Sequence, residues 1–225
     1  MAPAPPEIPP AATPQNGITV SLMDRWLLLG ATGTGKTRFA KELIKRLLKL
    51  WPDTPLYILE SKDAGDFEEW YGDGLYLGDE PPPLIRKGAQ VWRPGADRQQ
   101  AYDIWFDRLL HAEGPLILLN DEISSITRGS TATEPFQRLM KQGRGLGKCA
   151  INCSQEFHGS PKQIKTQTTH VCRWRMEGEQ DVWSSNRFIR RAHDAPEPPH
   201  KYGFFYTRKD EMTPTRYYPR YQTFF

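Results

Sequence analysis

The chain has 225 residues, 38% hydrophobic and 25% charged, and its seven Trp, ten Phe and nine Tyr can fill a sizeable core despite 20 prolines, which suits one domain with short appendages. No apolar run approaches the roughly 18 residues of a membrane helix, and the Pro/Ala-rich start lacks the basic and apolar regions of a secretory signal. Three cysteines (Cys149, Cys153, Cys172) without a CxxC pair argue against a disulfide framework or zinc site and for buried thiols, so a soluble intracellular protein is expected. The net charge of +3 is uneven: residues 1–140 hold 15 Lys/Arg against 19 Asp/Glu, whereas residues 141–225 hold 15 against 8. A basic C-terminal third points towards a polyanionic partner.

Residues 1–17, with six prolines and no periodicity, read as an extended or disordered arm before a domain spanning 18–225. Ile18–Leu22 is a candidate edge strand and Arg25–Leu29 a buried one. Thr37–Trp51 puts Phe39, Ala40, Leu43, Ile44, Leu47 and Leu48 on one helical face and Lys41, Lys45 and Lys49 on another, and Pro52 stops it. Leu56–Glu60 reads as a strand. The acidic stretch Ser61–Pro83 reads as a long loop or insertion, followed by a short strand at Val91–Arg93. Asp97–His111 is a predicted helix with Ala101, Ile104, Trp105, Leu109 and Leu110 inward. The wholly apolar Leu116–Leu119 suits a parallel strand buried on both faces. Then come a helix at Glu134–Gln142, strands at Lys148–Gln155 and Thr169–Met176, a helix around Gln180–Arg191, and strands near Tyr202–Arg208 and Thr215–Tyr221. Alternating strands and helices predict an α/β fold with a mainly parallel, doubly wound sheet in a single domain.

Gly30, Ala31, Thr32, Gly33, Thr34, Gly35, Lys36 and Thr37 match the P-loop (Walker A) pattern GxxxxGK(S/T) at every fixed position, between an apolar strand and an amphipathic helix. The glycines let backbone N–H groups turn towards phosphate oxygens at a helix N-terminus. Lys36 would reach the β- and γ-phosphates of ATP, and the Thr37 hydroxyl would ligate Mg²⁺. The partner carboxylates follow the apolar strand: Asp121 would orient a Mg²⁺-bound water (Walker B) and Glu122 would act as general base. The guanine-reading Asn/Thr-Lys-x-Asp signature is absent, and Ser61-Lys62-Asp63 has the wrong spacing, so ATP is the expected nucleotide.

Past these carboxylates the chain resembles the FtsK–HerA superfamily of DNA-pumping ATPases. The resemblance is carried by the P-loop, the Asp121–Glu122 pair, the run from Leu139 through Arg144 to Gln155, and closing strands around Gly203–Tyr206 and Pro214–Arg216. It implies a RecA-like ATPase in which Arg144 is an arginine finger inserted into a neighbouring subunit's site, worth roughly 10³–10⁵ in rate, with Arg138 and Arg128 as competitors. It also implies that Gln155 senses the γ-phosphate; the plainer alternative is a strand-end glutamine capping a loop. A finger acting in trans implies a homo-oligomeric ring, pentameric or hexameric. A bare motor of this length looks like the genome-packaging ATPases of tailless, membrane-containing viruses of the tectivirus type. That implies double-stranded DNA and capsid or portal-vertex proteins as partners, in the host cytoplasm and at a particle vertex.

For DNA, the segment Ser124–Glu134 with Arg128, and Lys162 and Lys165 in a later loop, offer cations for the phosphate backbone, as sequence-independent transport requires. The C-terminal aromatics Tyr217, Tyr218, Tyr221, Phe224 and Phe225 are expected to pack on the sheet or a neighbour rather than stack on bases. His158, His170, His193 and His200 lack metal-ligand spacing and are expected to be structural. Three rivals remain: a P-loop nucleotide or small-molecule kinase, a non-hydrolysing assembly ring, and an extrusion ATPase for single-stranded DNA.

Overall fold

Alternating side chains decide how the first strand is used. In β1 (Arg25–Leu29) Trp26 and Leu28 point to one side of the sheet, Leu27 and Leu29 to the other, and all five residues are buried. A strand apolar on both sides needs helices on both sides. The computed structural model describes residues 19–61, 65–95, 99–128, 131–156, 160–176, 191–192, 194–209 and 216–224. The proposed N-terminal arm, His158, His193, Phe225 and all but the last residue of the helix expected at Gln180–Arg191 lie outside them.

After β1 come α1 (Lys36–Leu50), β2 (Leu56–Leu59), β3 (Leu75–Leu77), β4 (Ala89–Arg93), α2 (Gln99–His111) and β5 (Leu116–Asn120). A short ribbon of β6 (Thr127–Arg128) and β7 (Thr131–Ala132) follows, then α3 (Glu134–Gln142), β8 (Lys148–Ser154), α4 (Lys162–Gln167), β9 (His170–Arg173), β10 (Phe204–Arg208) and β11 (Arg216–Tyr218). Among the described residues nine strands form one sheet, ordered β11-β10-β9-β1-β8-β5-β2-β4-β3, with β6 and β7 paired separately. From β3 to β9 all pairings are parallel, and β10 and β11 add antiparallel to that edge. This is the predicted α/β class, in the RecA-like order that places β8 between β1 and β5.

Helix α1 covers one side with Phe39, Leu43 and Leu47; α2, α3 and α4 cover the other with Trp105, Phe106, Phe136, Met140 and Ile164. Ile104, expected to face inward, is 40% exposed, while Tyr102 and Phe106 are buried in its place. The α2 stripe is therefore rotated towards its aromatic residues, whose larger apolar area decides which face is covered.

Other expectations are corrected. Ile18–Leu22 is no strand in its described part: Val20 makes an isolated bridge, and a turn closes from Asp24 N to Ser21 O at 3.1 Å. The acidic insertion carries a 3₁₀ turn (Glu68–Asp73) and the edge strand β3, too short for a readable period. Its Phe67 is buried in the α1-side core, and Glu69 pairs with Lys41 (3.6 Å) and Lys45 (3.3 Å) of α1. Lys162 and Lys165 lie on the short helix α4 rather than in a loop.

The three cysteines are free and buried. His170 is structural: its ring stacks on Trp26 at 4.0 Å, between Asp24 (Nε2 to Oδ1, 3.2 Å) and the Tyr206 hydroxyl (Nδ1, 2.9 Å). The C-terminal tail returns to the sheet. Phe224 is 1% exposed and meets the rings of Phe39, Tyr218 and Tyr206 at 5.0, 5.0 and 5.1 Å. We predict that Phe224→Ala lowers the unfolding free energy by about 3 kcal/mol, as expected of emptying a buried aromatic site. A urea titration checks this, and a loss well under about 1 kcal/mol would show that the tail is not part of the core.

Candidate nucleotide-binding site

Parallel strands end at one edge, so the sheet order decides which loops meet. Leu29 is opposite Ser154 and Asn120 opposite Asn152, so the segments leaving β1, β8 and β5 emerge side by side. The first is the P-loop. It is tied down by Gly30 N donating to Ser154 O (3.2 Å) and Ala31 N donating to Arg175 O (2.8 Å). Gly33 (φ 74°) and Gly35 (φ 101°) adopt left-handed backbone, and Gly35 is the N-cap of α1. Gly30 is glycine for a different reason: a Cβ there would lie 2.6 Å from the Trp174 Cβ and 2.9 Å from the Thr34 hydroxyl. Trp174, buried beneath the loop, escaped the sequence reading because it sits just past β9 and has no motif of its own.

Lys36 folds back over the loop, its ammonium donating to Gly30 O and to Ala31 O (2.9 Å). Thr34 Oγ1 donates to Ala31 O (2.8 Å). Beside the loop opens a cavity of 760 Å³ lined by Thr32, Gly33, Gly35, Lys36 and Thr37, by Asp121, and outside the motif by Arg38, Asp66 and Tyr202. A loop with backbone N–H groups at a helix start, a lysine and a hydroxyl is built to hold phosphate.

The carboxylates are nearly buried, Asp121 at 4% and Glu122 at 7% exposure. Asp121 N donates to Leu59 O (3.1 Å), which fixes the chain at the end of β5. Glu122 caps the following 3₁₀ turn, with Oε1 accepting from Ser124 Oγ (3.0 Å). Its Oε2 accepts from Gln155 Nε2 (3.1 Å), and Gln155 Oε1 lies 3.1 Å from the Thr32 hydroxyl that donates to it. Gln155 thus bridges the P-loop and the glutamate. Behind it Asn120 Nδ2 donates to Asn152 Oδ1 (2.8 Å), and Asn152 Nδ2 donates to Trp26 O (3.3 Å). The sequence reading passed over this buried pair, although Asn at a strand end beside the acids was a signal.

Thr37 and Asp121 present hard oxygen donors to one cavity, a set that fits Mg²⁺ shared with substrate phosphates. Among the described residues no cluster of three or more His, Cys, Asp or Glu forms a protein-only metal cage.

Arg144 does not join this site. It is exposed on a 3₁₀ turn (Gly143–Leu146) entering β8, whereas the P-loop meets the other end of that strand. Seven residues of strand separate the two edges, roughly 23 Å. Of its competitors, Arg138 pairs with Asp107 (3.7 Å), and Arg128 lies on β6, which pairs with β7. Helix α4, with Lys162 exposed and Lys165 half-buried, packs against β7, so these three residues lie on neighbouring elements. Burial pulls the Lys165 pKa down.

No protein-family model and no curated protein matches the chain. Solved structures do. The genome packaging NTPase B204 from Sulfolobus turreted icosahedral virus 2 in complex with AMPPCP is 15% identical with a TM-score of 0.66, over 88% of this chain and 97% of that one. The same protein with ATP-gammaS gives 13% and 0.62, over 89% and 99%. The pCW3 conjugation coupling protein TcpA gives 16% and 0.58, over 90% of this chain and 62% of that one. The chain therefore has the fold of these P-loop proteins along nearly its whole length.

The two loop glycines should respond differently to alanine. Gly30→Ala meets Trp174 and should lower the unfolding free energy by about 1–3 kcal/mol through overpacking. Gly33→Ala has open space around it and should lose only about 1–2 kcal/mol, through its left-handed backbone. In a double-mutant cycle followed by chemical denaturation, Trp174→Gly, which removes the opposing Cβ, should couple to Gly30→Ala and not to Gly33→Ala.

Proposed function

We propose that the chain is an ATP-hydrolysing motor that moves double-stranded DNA as a homo-oligomeric ring, in the manner of a viral genome-packaging ATPase. The observation that carries this reading is the double hydrogen bond of Gln155, which links a phosphate-binding loop to a carboxylate two strands away. A machine that must report the state of its nucleotide needs such a link. A kinase transferring phosphate to a small acceptor does not. The full-length fold likeness to B204, whose structures hold ATP-gammaS and AMPPCP, supports the same reading, as does a conjugation coupling protein among the similar folds.

In this mechanism the γ-phosphate sits against the P-loop N–H groups and Lys36. Thr37 and Asp121 would hold Mg²⁺, which when bound would supply positive charge against the phosphates. Glu122 accepts the proton of the attacking water as its oxygen bonds to the γ-phosphorus, and the bond from phosphorus to the bridging β,γ-oxygen breaks to leave ADP. Arg144 of one subunit enters the cavity of the next; its place at the far edge from its own P-loop supports action in trans. Gln155 reads the γ-phosphate through the Thr32–Glu122 bridge. The β6–β7 ribbon and α4, carrying Arg128, Lys162 and Lys165, supply the DNA contacts. The N-terminal arm (1–17) serves recruitment to a capsid or portal vertex.

Steady-state ATP hydrolysis with and without double-stranded DNA tests this. DNA should stimulate turnover, Glu122→Gln should lower it by about 10²-fold or more, and Arg144→Ala by about 10³-fold. Mixing the two variants should restore part of the rate, because a subunit with Glu122 can receive Arg144 from a neighbour. Turnover indifferent to DNA, with a phosphorylated acceptor as product, would establish the kinase instead; nucleotide binding without turnover would establish a passive ring. Preferential stimulation by single strands would point to the extrusion motor.

The DNA surface carries its own prediction. Lys162→Ala should weaken binding to unrelated duplexes to a similar degree and lessen the slope of log affinity against log salt by about one. An unchanged slope would remove Lys162 from the contact set.

A further inference from the structure

Tyr202 stands apart from the aromatic core beside it. Trp174, Phe204 and Tyr206 are at most 1% exposed, whereas Tyr202 is 54% exposed. It sits on a turn closed by Gly203 N donating to His200 O (3.0 Å), just before β10. The ring borders the phosphate loop: a Cβ on Gly35 would lie 3.7 Å from its Cδ1. Among the described residues lining the 760 Å³ cavity, Tyr202 is the one aromatic ring, and the others are glycine, hydroxyl-bearing or charged.

The ring is exposed, yet the chain carrying it is fastened on both sides. Upstream, Arg173 at the end of β9 donates to Ala195 O (2.7 Å) and Pro196 O (3.2 Å) and pairs with Glu197 (2.6 Å). Downstream, β10 pairs with β9, and the hydroxyl of Tyr217 fills the space that a side chain on Gly203 would need. Arg38, one turn into α1 and lining the same cavity, is itself seated 4.9 Å over the ring of Tyr221 from the C-terminal tail.

A nucleotide whose phosphates occupy the N-terminus of α1 must place its base elsewhere in this cavity. A planar heterocycle gains most from a flat aromatic surface, because stacking does not require matched hydrogen-bonding groups. We propose that Tyr202 is the base platform of the nucleotide site, stacking the purine of the bound triphosphate, with Arg38 on the same cavity wall as a second planar group. The larger purine ring gains more from this surface than a pyrimidine. The inference rests on the nucleotide-binding reading of the P-loop.

Calorimetric titration of the full chain with ATP, CTP and inorganic tripolyphosphate tests it, using Tyr202→Ala and Tyr202→Phe. Tyr202→Ala should weaken ATP binding on the order of tenfold or more, Tyr202→Phe should match the unaltered protein, and tripolyphosphate affinity should be equal in all three. CTP should bind more weakly than ATP, with the gap narrowing in Tyr202→Ala. In hydrolysis KM should rise while kcat holds. If the unaltered protein binds ATP and Tyr202→Ala binds it equally well, the platform is wrong while the P-loop reading stands. Loss of tripolyphosphate binding in Tyr202→Ala would make the ring a support of the loop and overturn the platform. Failure of the unaltered protein to bind either ATP or tripolyphosphate would overturn the P-loop reading itself, and the platform with it.

Discussion

The position of β8 between β1 and β5 is the constraint on which the site depends. Adjacent strands lie about 4.8 Å apart, so the P-loop strand and the carboxylate strand are about 10 Å apart, too far for direct contact between short side chains. A glutamine just past the end of the strand between them can reach both, and Gln155 does, through Thr32 and Glu122. The Asn120–Asn152 pair makes a second polar tie across β5, β8 and β1. Buried amides of this kind hold register because a slip would leave them unpaired, at about 1–3 kcal/mol for each lost partner.

At the opposite edge of the sheet the organising group is Arg25. Burial pulls its pKa down to about 10, Cys149 and Asp24 act against that shift and Arg144 adds to it, and the group remains charged at neutral pH. Its guanidinium donates to Lys148 O on β8, to Asp24 O just before β1 (3.0 Å), and to Met140 O (3.2 Å) and Leu139 O (3.4 Å) in the last turn of α3. A cation among the orphan carbonyls of a helix C-terminus is favoured both by hydrogen bonding and by the helix dipole. Lys148 does the same beyond α2, donating to Ala112 O (2.8 Å) and Gly114 O (3.3 Å). Gly143 fits against Arg25, since a Cβ there would lie 3.3 Å from its Nη2. The turn bearing Arg144 is thereby fixed to the sheet even though the Arg144 side chain is exposed.

The phosphate loop and its carboxylates were legible because their chemistry demands fixed spacing and their flanks have clear periodicity. The central strands were legible because burial on both faces leaves uninterrupted apolar runs. What escaped depends on contacts distant in sequence. Arg25 opens a strand that otherwise reads as apolar, and nothing local shows that four carbonyls from three segments surround it. Ile104 fits the helical stripe as well as Phe106 does, and only the area available to the aromatic ring separates them. The acidic insertion read as loop because β3 has three residues and its carboxylates find lysines on a helix far earlier in the chain. Tyr202 read as the start of a strand, whereas its significance lies in facing the cavity beside Gly35.

One strand consequently serves two kinds of site in the proposed ring. Strand β8 carries Gln155 just past one end and Arg144 just before the other, and all seven of its residues are buried between parallel neighbours. Close-packed interiors compress little, so such a strand does not shorten or slide by itself when the nucleotide changes. The Arg25 clamp and the Asn120–Asn152 tie oppose the same movements. Withdrawal of Arg144 from a neighbour's cavity is therefore expected to involve the subunit turning as a body about the interface, with Gln155 and the P-loop altering the forces that hold it there. Local freedom is better placed outside β8, in segments that touch nucleotide or DNA without carrying the sheet. In the proposed motor, catalysis would belong to the rigid strand ends and DNA movement to displacement of whole subunits, with the β6–β7 ribbon and α4 travelling alongside.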